Sequence, residues 1–146
     1  MRNALVGLAA FLSIAGASTA ASAAPDLVPI ASRLTHGGVS VRNVGDAAST
    51  PSVVTLNCSK PPATGGCAEI PAMYMPAYTN PAFPDRVSIN VPALTPGRVF
   101  NHRLRFWDAL AWSSGTYHLT VTADAGAAVA EGNEANNAGT HVKVVP

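Results

Sequence analysis

Glu131, Asn133, Glu134, Asn136 and Asn137 crowd one short stretch, with Asp124 shortly before them. Carboxylate and amide oxygens at that density can do two kinds of chemistry. They can take up backbone N–H groups in irregular turns, because a short Asn or Asp side chain mimics a carbonyl. They can also surround a hard cation, since Ca²⁺ takes six or more oxygens. The spacing is not that of an EF-hand loop. A structural turn is therefore the first expectation and a weak calcium site the second; no other metal and no cofactor is expected.

Cys58 and Cys67 are the two cysteines of the chain. A redox-active pair usually needs Cys-x-x-Cys at a helix start, and that spacing is absent. Lys60-Pro61-Pro62-Ala63-Thr64-Gly65-Gly66 between them turns easily, so the pair reads as a disulfide stapling a local loop. His36, His102, His118 and His141 show no zinc spacing with one another or with a free cysteine. His118 and His141 are expected on outer faces of neighbouring strands, and His102 half-buried beside Phe100, Leu104 and Phe106. There is no Gly-x-Ser-x-Gly, no His-Glu-x-x-His and no phosphate-cradling glycine loop. The chain is read as no enzyme, with no catalytic residue to name.

Binding chemistry is better represented. Ile70 to Asp85 carries a five-residue near-repeat, Pro71-Ala72-Met73, Pro76-Ala77-Tyr78 and Pro81-Ala82-Phe83, with Tyr74 and Met75 in addition. Proline removes backbone donors and keeps such a segment extended or turning. Met73, Tyr74, Met75, Tyr78 and Phe83 then form either a lid folded over a sheet edge or a partner-binding surface. Arg98, Arg103 and Arg105, beside Asp108, are expected as solvated strand cations, with an anionic partner as the alternative. Trp107 and Trp112 can fill the core and cover a loop, or, if both exposed, stack on carbohydrate. Tyr117 resembles the corner tyrosine of β-sandwiches, which ties its hydroxyl to nearby backbone.

Positioning these residues falls to strands. Short runs alternate apolar and polar residues: Gly38 to Val44, Ser52 to Cys58, Arg86 to Val91, Val99 to Trp107 and Thr116 to Asp124. Asp26 to Ser32 and Thr140 to Val145 bring the strand candidates to seven, with Val142 and Val144 of the last expected in the core. Clean alternation means one dry face and one wet face, which is the pattern of antiparallel sheets. Glycine, proline and asparagine clusters separate the runs. Two packed sheets with Greek-key connections satisfy this pattern, and an immunoglobulin-like antiparallel β-sandwich is the expected fold.

The first 23 residues read differently. Arg2 is followed by the apolar run Ala4 to Ile14, and Ala21-Ser22-Ala23 offers small residues for cleavage. This is expected to be a signal peptide, leaving one domain at 24–146 with a Pro-rich insert at about 59–85. The chain carries nine basic and eight acidic residues, and Arg2 is the surplus base, so the mature part is neutral. Neutrality gives no electrostatic reason to seek nucleic acid or anionic lipid. Nothing after the leader is long and apolar enough to insert in a membrane.

Six pieces of the chain together carry a resemblance. They are Pro25-Asp26-Leu27-Val28, Val41-x-Asn43-x-Gly45, Leu94-x-Pro96-Gly97, Ser114-Gly115-Thr116-Tyr117, Ala123-Asp124 and Val129-x-Glu131-x-Asn133-Glu134-x-Asn136-Asn137. The mature chain resembles the CARDB family, the cell-adhesion-related domain of bacteria, and departs from its pattern in a longer, proline-richer segment between Ser59 and Asp85. The resemblance implies an immunoglobulin-like sandwich on an exported protein. The expected function is that of a non-catalytic binding or adhesion-type module, periplasmic or extracellular, with an envelope or extracellular protein or glycan as partner. Two alternatives stand beside it: a carbohydrate-binding module, and a structural subunit that self-associates through an edge strand.

Overall fold

The computed structural model describes residues 23–61 and 67–146. The leader expected over residues 1–23 lies, save for Ala23, outside the described residues, as does the middle of the cysteine loop. Seven strands form two antiparallel sheets: β1 (Leu27–Pro29), β2 (Gly38–Asn43), β3 (Ser52–Ser59), β4 (Val87–Val91), β5 (Val99–Arg103), β6 (Gly115–Thr122) and β7 (Ala138–Val145). One sheet has the order β1-β2-β5 and the other β4-β3-β6-β7. The all-β sandwich expected from alternation is the observed fold.

Period-two patterning builds the core between the sheets. Leu27, Val39 and Val41 of the smaller sheet meet Val54, Ile89, Val91, Leu119 and Val121 of the larger, all buried in one cluster. Each such side chain contributes roughly 1.5–3 kcal/mol by leaving water. The register keeps like faces together: Val54 lies opposite Ile89, and Leu56 opposite both Val87 and Val121.

Short 3₁₀ turns close the gaps between strands. Ala31–His36 follows β1 and ends at Gly37, whose φ of 70° lies in the left-handed region. A side chain there would collide with the Trp107 ring, so glycine is required twice over. The first strand is accordingly shorter than the run Asp26 to Ser32 suggests. β5 likewise stops at Arg103, before the expected end at Trp107. There the Leu104 N–H donates to the Gly37 carbonyl (2.9 Å), and Trp107–Ala109 becomes a 3₁₀ turn.

The last strand reverses the sequence expectation. Val142 and Val144 are 50% and 69% exposed, while His141, Lys143 and Val145 turn inward. Lys143 can face the interior because its ammonium reaches over the rings of Trp107 (5.6 Å) and Trp112 (5.2 Å), its aliphatic stem covered on the way. His118 and His141 therefore lie on opposite faces: His118 pairs with Val142, and His141 with the buried Leu119.

Candidate functional site

The Pro-rich insert closes the side of the sandwich where the edge strands β4 and β5 lie. Ala72–Ala77 is a 3₁₀ turn with Pro76 inside it. Proline fits this short turn because no regular i→i−4 ladder is interrupted. The segment then crosses to both sheets. The Ser88 N–H on β4 donates to the Tyr78 carbonyl (2.9 Å), and just beyond β5 the Arg105 N–H donates to the Tyr78 hydroxyl (3.0 Å). That hydroxyl also meets His102 Nε2 at 3.1 Å. The Tyr78 ring stands edge-on to Phe106, centroids 4.9 Å apart.

The three near-repeats have three fates. Tyr78 is 3% exposed and belongs to the core, so it is no contact residue; its hydroxyl is needed inside the protein. Phe83 is half-buried beside Gly126, and Tyr74 is half-buried against Phe106 (6.4 Å). Met73 is 79% and Met75 39% exposed. Equal spacing does not give equal orientation, because a five-residue step through turns follows no helical or strand period. Beside Met75 a cleft of about 270 Å³ opens between Ile70, Tyr78, Val87, Asn57 and Arg86. Cys58 and Cys67 are joined as expected, tying the end of β3 to the start of the lid.

Burial, and then the charge of Arg105, hold His102 below the ordinary imidazole value of 6.5. Its neutral ring can then accept the Tyr78 hydroxyl proton, while the Tyr78 oxygen accepts the Arg105 N–H. The lid is thus fastened by two hydrogen bonds that meet at the Tyr78 hydroxyl.

At the other end of the sandwich the acidic stretch is a hydrogen-bonded turn. Asp124 is buried at φ 40° and accepts the N–H groups of Ala128 (3.1 Å) and Val129 (2.9 Å). Asn133 caps the 3₁₀ turn Glu134–Asn136 through the Ala135 N–H (3.1 Å), and Glu134 accepts the Glu131 N–H (3.0 Å). Asn136 donates to both carboxylate oxygens of Asp26 (2.9 and 3.2 Å), and Glu131 accepts the Leu27 N–H (2.9 Å). These three bonds join the loop before β7 to the start of β1. Glu131 Oε1, Asn136 Oδ1 and Asn137 Oδ1 are buried with no donor among the described residues. Burial pushes the Glu131 carboxyl up to about 7, with the charges of Glu134, Asp124 and Asp26 adding to it. Among the described residues no three His, Cys, Asp or Glu side chains converge as metal ligands would.

Arg103 forms a two-pronged ion pair with Asp108 (2.8 and 3.0 Å) and donates to the His36 carbonyl; Arg98 and Arg105 are exposed. Trp107 is buried, Trp112 half-buried, and the two meet at 62° with centroids 5.2 Å apart, so they offer no flat platform for a sugar ring. Tyr117 donates to the Ser113 carbonyl (2.7 Å), as a corner tyrosine should. One residue carries more than its motif suggested. Asn43 is fully buried, accepts the N–H groups of Asp26 (3.1 Å) and Gly45 (3.0 Å), and donates to the carbonyls of Ala47 and Leu94 (both 2.8 Å). Its position two residues before a glycine at a strand end was the only available signal.

Two antiparallel sheets, a corner tyrosine and a turn-rich closing segment define an immunoglobulin-like β-sandwich. The CARDB family model matches residues 24–141, and the chain belongs to the CARDB family. Among solved structures, it is similar to a domain of a candidate cell-surface protein from Methanosarcina acetivorans. That match has 23% identity and a TM-score of 0.57, covering 84% of this chain and 93% of that one. A CARDB domain from Pyrococcus furiosus, solved in complex with di-metal ions, is 17% identical with a TM-score of 0.47, covering 86% and 96%. Comparison with curated proteins gives no match.

Proposed function

We propose that this CARDB domain is a non-catalytic, exported module that displays the outer surface of its lid to an envelope or extracellular protein. The carrying observation is the pairing of a fastened lid with adaptable side chains on top of it. Tyr78 ties the segment to both sheets, while Met75 lines the cleft and Met73 projects into solvent. Rigid backbone lowers the ordering cost of binding, and methionine fits irregular partner surfaces. Export is supported by the basic start, the apolar run Ala4 to Ile14 and the small residues before Ala24. The likeness to a candidate cell-surface domain agrees with a place in the periplasm or outside the cell.

The test is site-specific crosslinking in envelope and culture fractions. A photoreactive side chain replaces Met73, with Asp46, in the β2–β3 loop, as the control position. The Met73→Ser/Met75→Ser variant is run in parallel for capture. Crosslinks from position 73 alone, with capture lost in the serine variant, support the lid surface. Equal capture by variant and wild type moves the site elsewhere on the domain.

A further inference from the structure

The outer face of the smaller sheet is polar and basic. Val39, Val41 and Phe100 pack on the core, so Ser40 and Arg42 of β2 and Asn101 and Arg103 of β5 take the opposite face. Between the two strands runs a shallow groove of about 470 Å³, walled by Arg33, His36 and Arg103 and floored by Gly38, Ser40 and Asn101. No apolar side chain lines it. Gly38 keeps the floor low: it lies opposite Arg103, and a Cβ there would stand 3.4 Å from that of Arg33. The buried Ser40 hydroxyl donates to Asn101 Oδ1 (2.7 Å), which fixes the amide and leaves its Nδ2 donors to the exposed side. Asp108 and the His36 carbonyl hold Arg103 in place, and its charge is met there. Arg33 and Arg42 are exposed, and the ion pairs among the described residues, Arg86–Asp85 and Arg103–Asp108, include neither. Asp26, before β1, gives its carboxylate to Asn136 (2.9 and 3.2 Å) and not to Arg42. Arg42 stands four residues beyond Gly38 on β2, roughly 13–14 Å along the strand.

We infer that this face binds an acidic polysaccharide, a chain of uronic acid units lying along β2 and β5. Arg33 and Arg42 are cations without a carboxylate of their own, and a guanidinium fork matches a carboxylate in shape and charge. Their separation along the strand suits a polymer with repeated charges better than one small anion. The groove at the Arg33 end offers an amide, a hydroxyl, an imidazole and glycine backbone. Such groups exchange hydrogen bonds with sugar hydroxyls. They give no pocket to an aromatic or aliphatic anchor, in which the energy of a protein interface concentrates. A protein partner is therefore poorly served here, and a hydroxyl-rich chain well. The neutrality of the mature chain does not oppose this, because a ligand meets the local field and not the net charge. The groove shares no residue with the cleft beside Met75, so this site is independent of the lid reading.

Calorimetry with polygalacturonate as the probe, on protein expressed from the full-length chain and purified after export, tests the proposal. Wild type is expected to bind it, more weakly as salt rises, and to leave the neutral polysaccharide dextran unbound. Arg33→Glu and Arg42→Glu should each weaken binding about tenfold or more. Both side chains are exposed, so melting temperatures should hold. Asn101→Asp keeps an oxygen for the Ser40 hydroxyl but turns the amide donors into a charge facing the ligand, and should weaken binding as well. Thr116→Glu/His118→Glu changes the net charge as much as one arginine reversal does, at exposed positions of β6 in the other sheet, and should bind as wild type does. Wild type that does not bind polygalacturonate overturns the proposal, as does unchanged binding by a folded Arg33→Glu variant. Equal weakening in the Thr116/His118 variant overturns it too, as the mark of diffuse charge. Polyglutamate bound as tightly as polygalacturonate overturns the sugar assignment and makes the groove a site for acidic peptide.

Discussion

Asn43 is the point at which four backbone groups are held by one side chain. Its amide accepts from Asp26 and Gly45 and donates to Ala47 and Leu94, leaving no polar valence unused. Asn43→Asp keeps the shape but turns the amide's two donors into an oxygen facing two carbonyls, in a site closed to water. A loss of about 3–5 kcal/mol is expected from urea unfolding; a loss below about 1 kcal/mol would show that the network is not holding these groups together. Glu131 acts through its proton. Its folded pKa of about 7 stands above the ordinary 4.5, so the folded chain binds more protons between those values. Its contribution to stability is greatest below about pH 4.5, declines as pH rises, and is gone above 7. Glu131→Gln keeps an oxygen for the Leu27 N–H and replaces the ionisable carboxyl by a neutral amide. Melting curves from pH 4.5 to 8 should show the variant gaining on wild type up to pH 7 and standing above it at pH 8. Parallel curves would remove the proton from the account. A calcium-dependent rise in wild type that vanishes in the variant would turn the segment into a cation site.

At the scale of elements, the lid shows what a linear pattern can and cannot carry. Alternation located the strands because a sheet with one wet face imposes period two on its sequence. It misplaced the faces of β7 because Val142, Val144 and Val145 offer apolar residues to both sides, and a lysine read as outward has aromatic rings to cover inside. The lid was legible as a stiff segment rich in large side chains. That Tyr78 rather than Tyr74 would be its anchor was not, since the partners that decide it, Arg105 and His102, lie more than twenty residues away. Tyr78→Phe removes both hydrogen bonds while keeping the ring against Phe106. A loss of about 1–2 kcal/mol is expected, with faster amide exchange over 72–86 and little change in β6. His102 adds a pH dependence opposite in sign to that of Glu131. Its folded pKa is depressed below 6.5, so its contribution is complete above that value and lost as pH falls through the folded one. Imidazole titration by NMR should place its midpoint below 6.5.

On the scale of the whole molecule, two closures act on one sandwich. The acidic turn before β7 is joined to the start of β1 through Glu131 and Asn136, and the lid spans the far side between β4 and β5. The disulfide belongs to the second closure only. Cys58 lies on β3, and its partner is nine residues on, at the lid's beginning. Closing so short a loop contributes about 2–3 kcal/mol on the chain-entropy model, less than a bridge spanning the domain would. The core between the sheets contains neither sulfur as a central member; Cys58 packs at its margin beside Ile70. Cys58→Ser/Cys67→Ser is therefore expected to fold, to melt at a lower temperature and to keep β6–β7 amides protected, while exchange over residues 67–86 rises first. Hydrogen exchange followed by mass spectrometry separates these segments directly. If protection in β6 and β7 is lost together with that of the lid, the staple supports the whole sandwich. The lid would then be part of the cooperative core, and a partner binding at Met73 and Met75 would stabilise every strand equally.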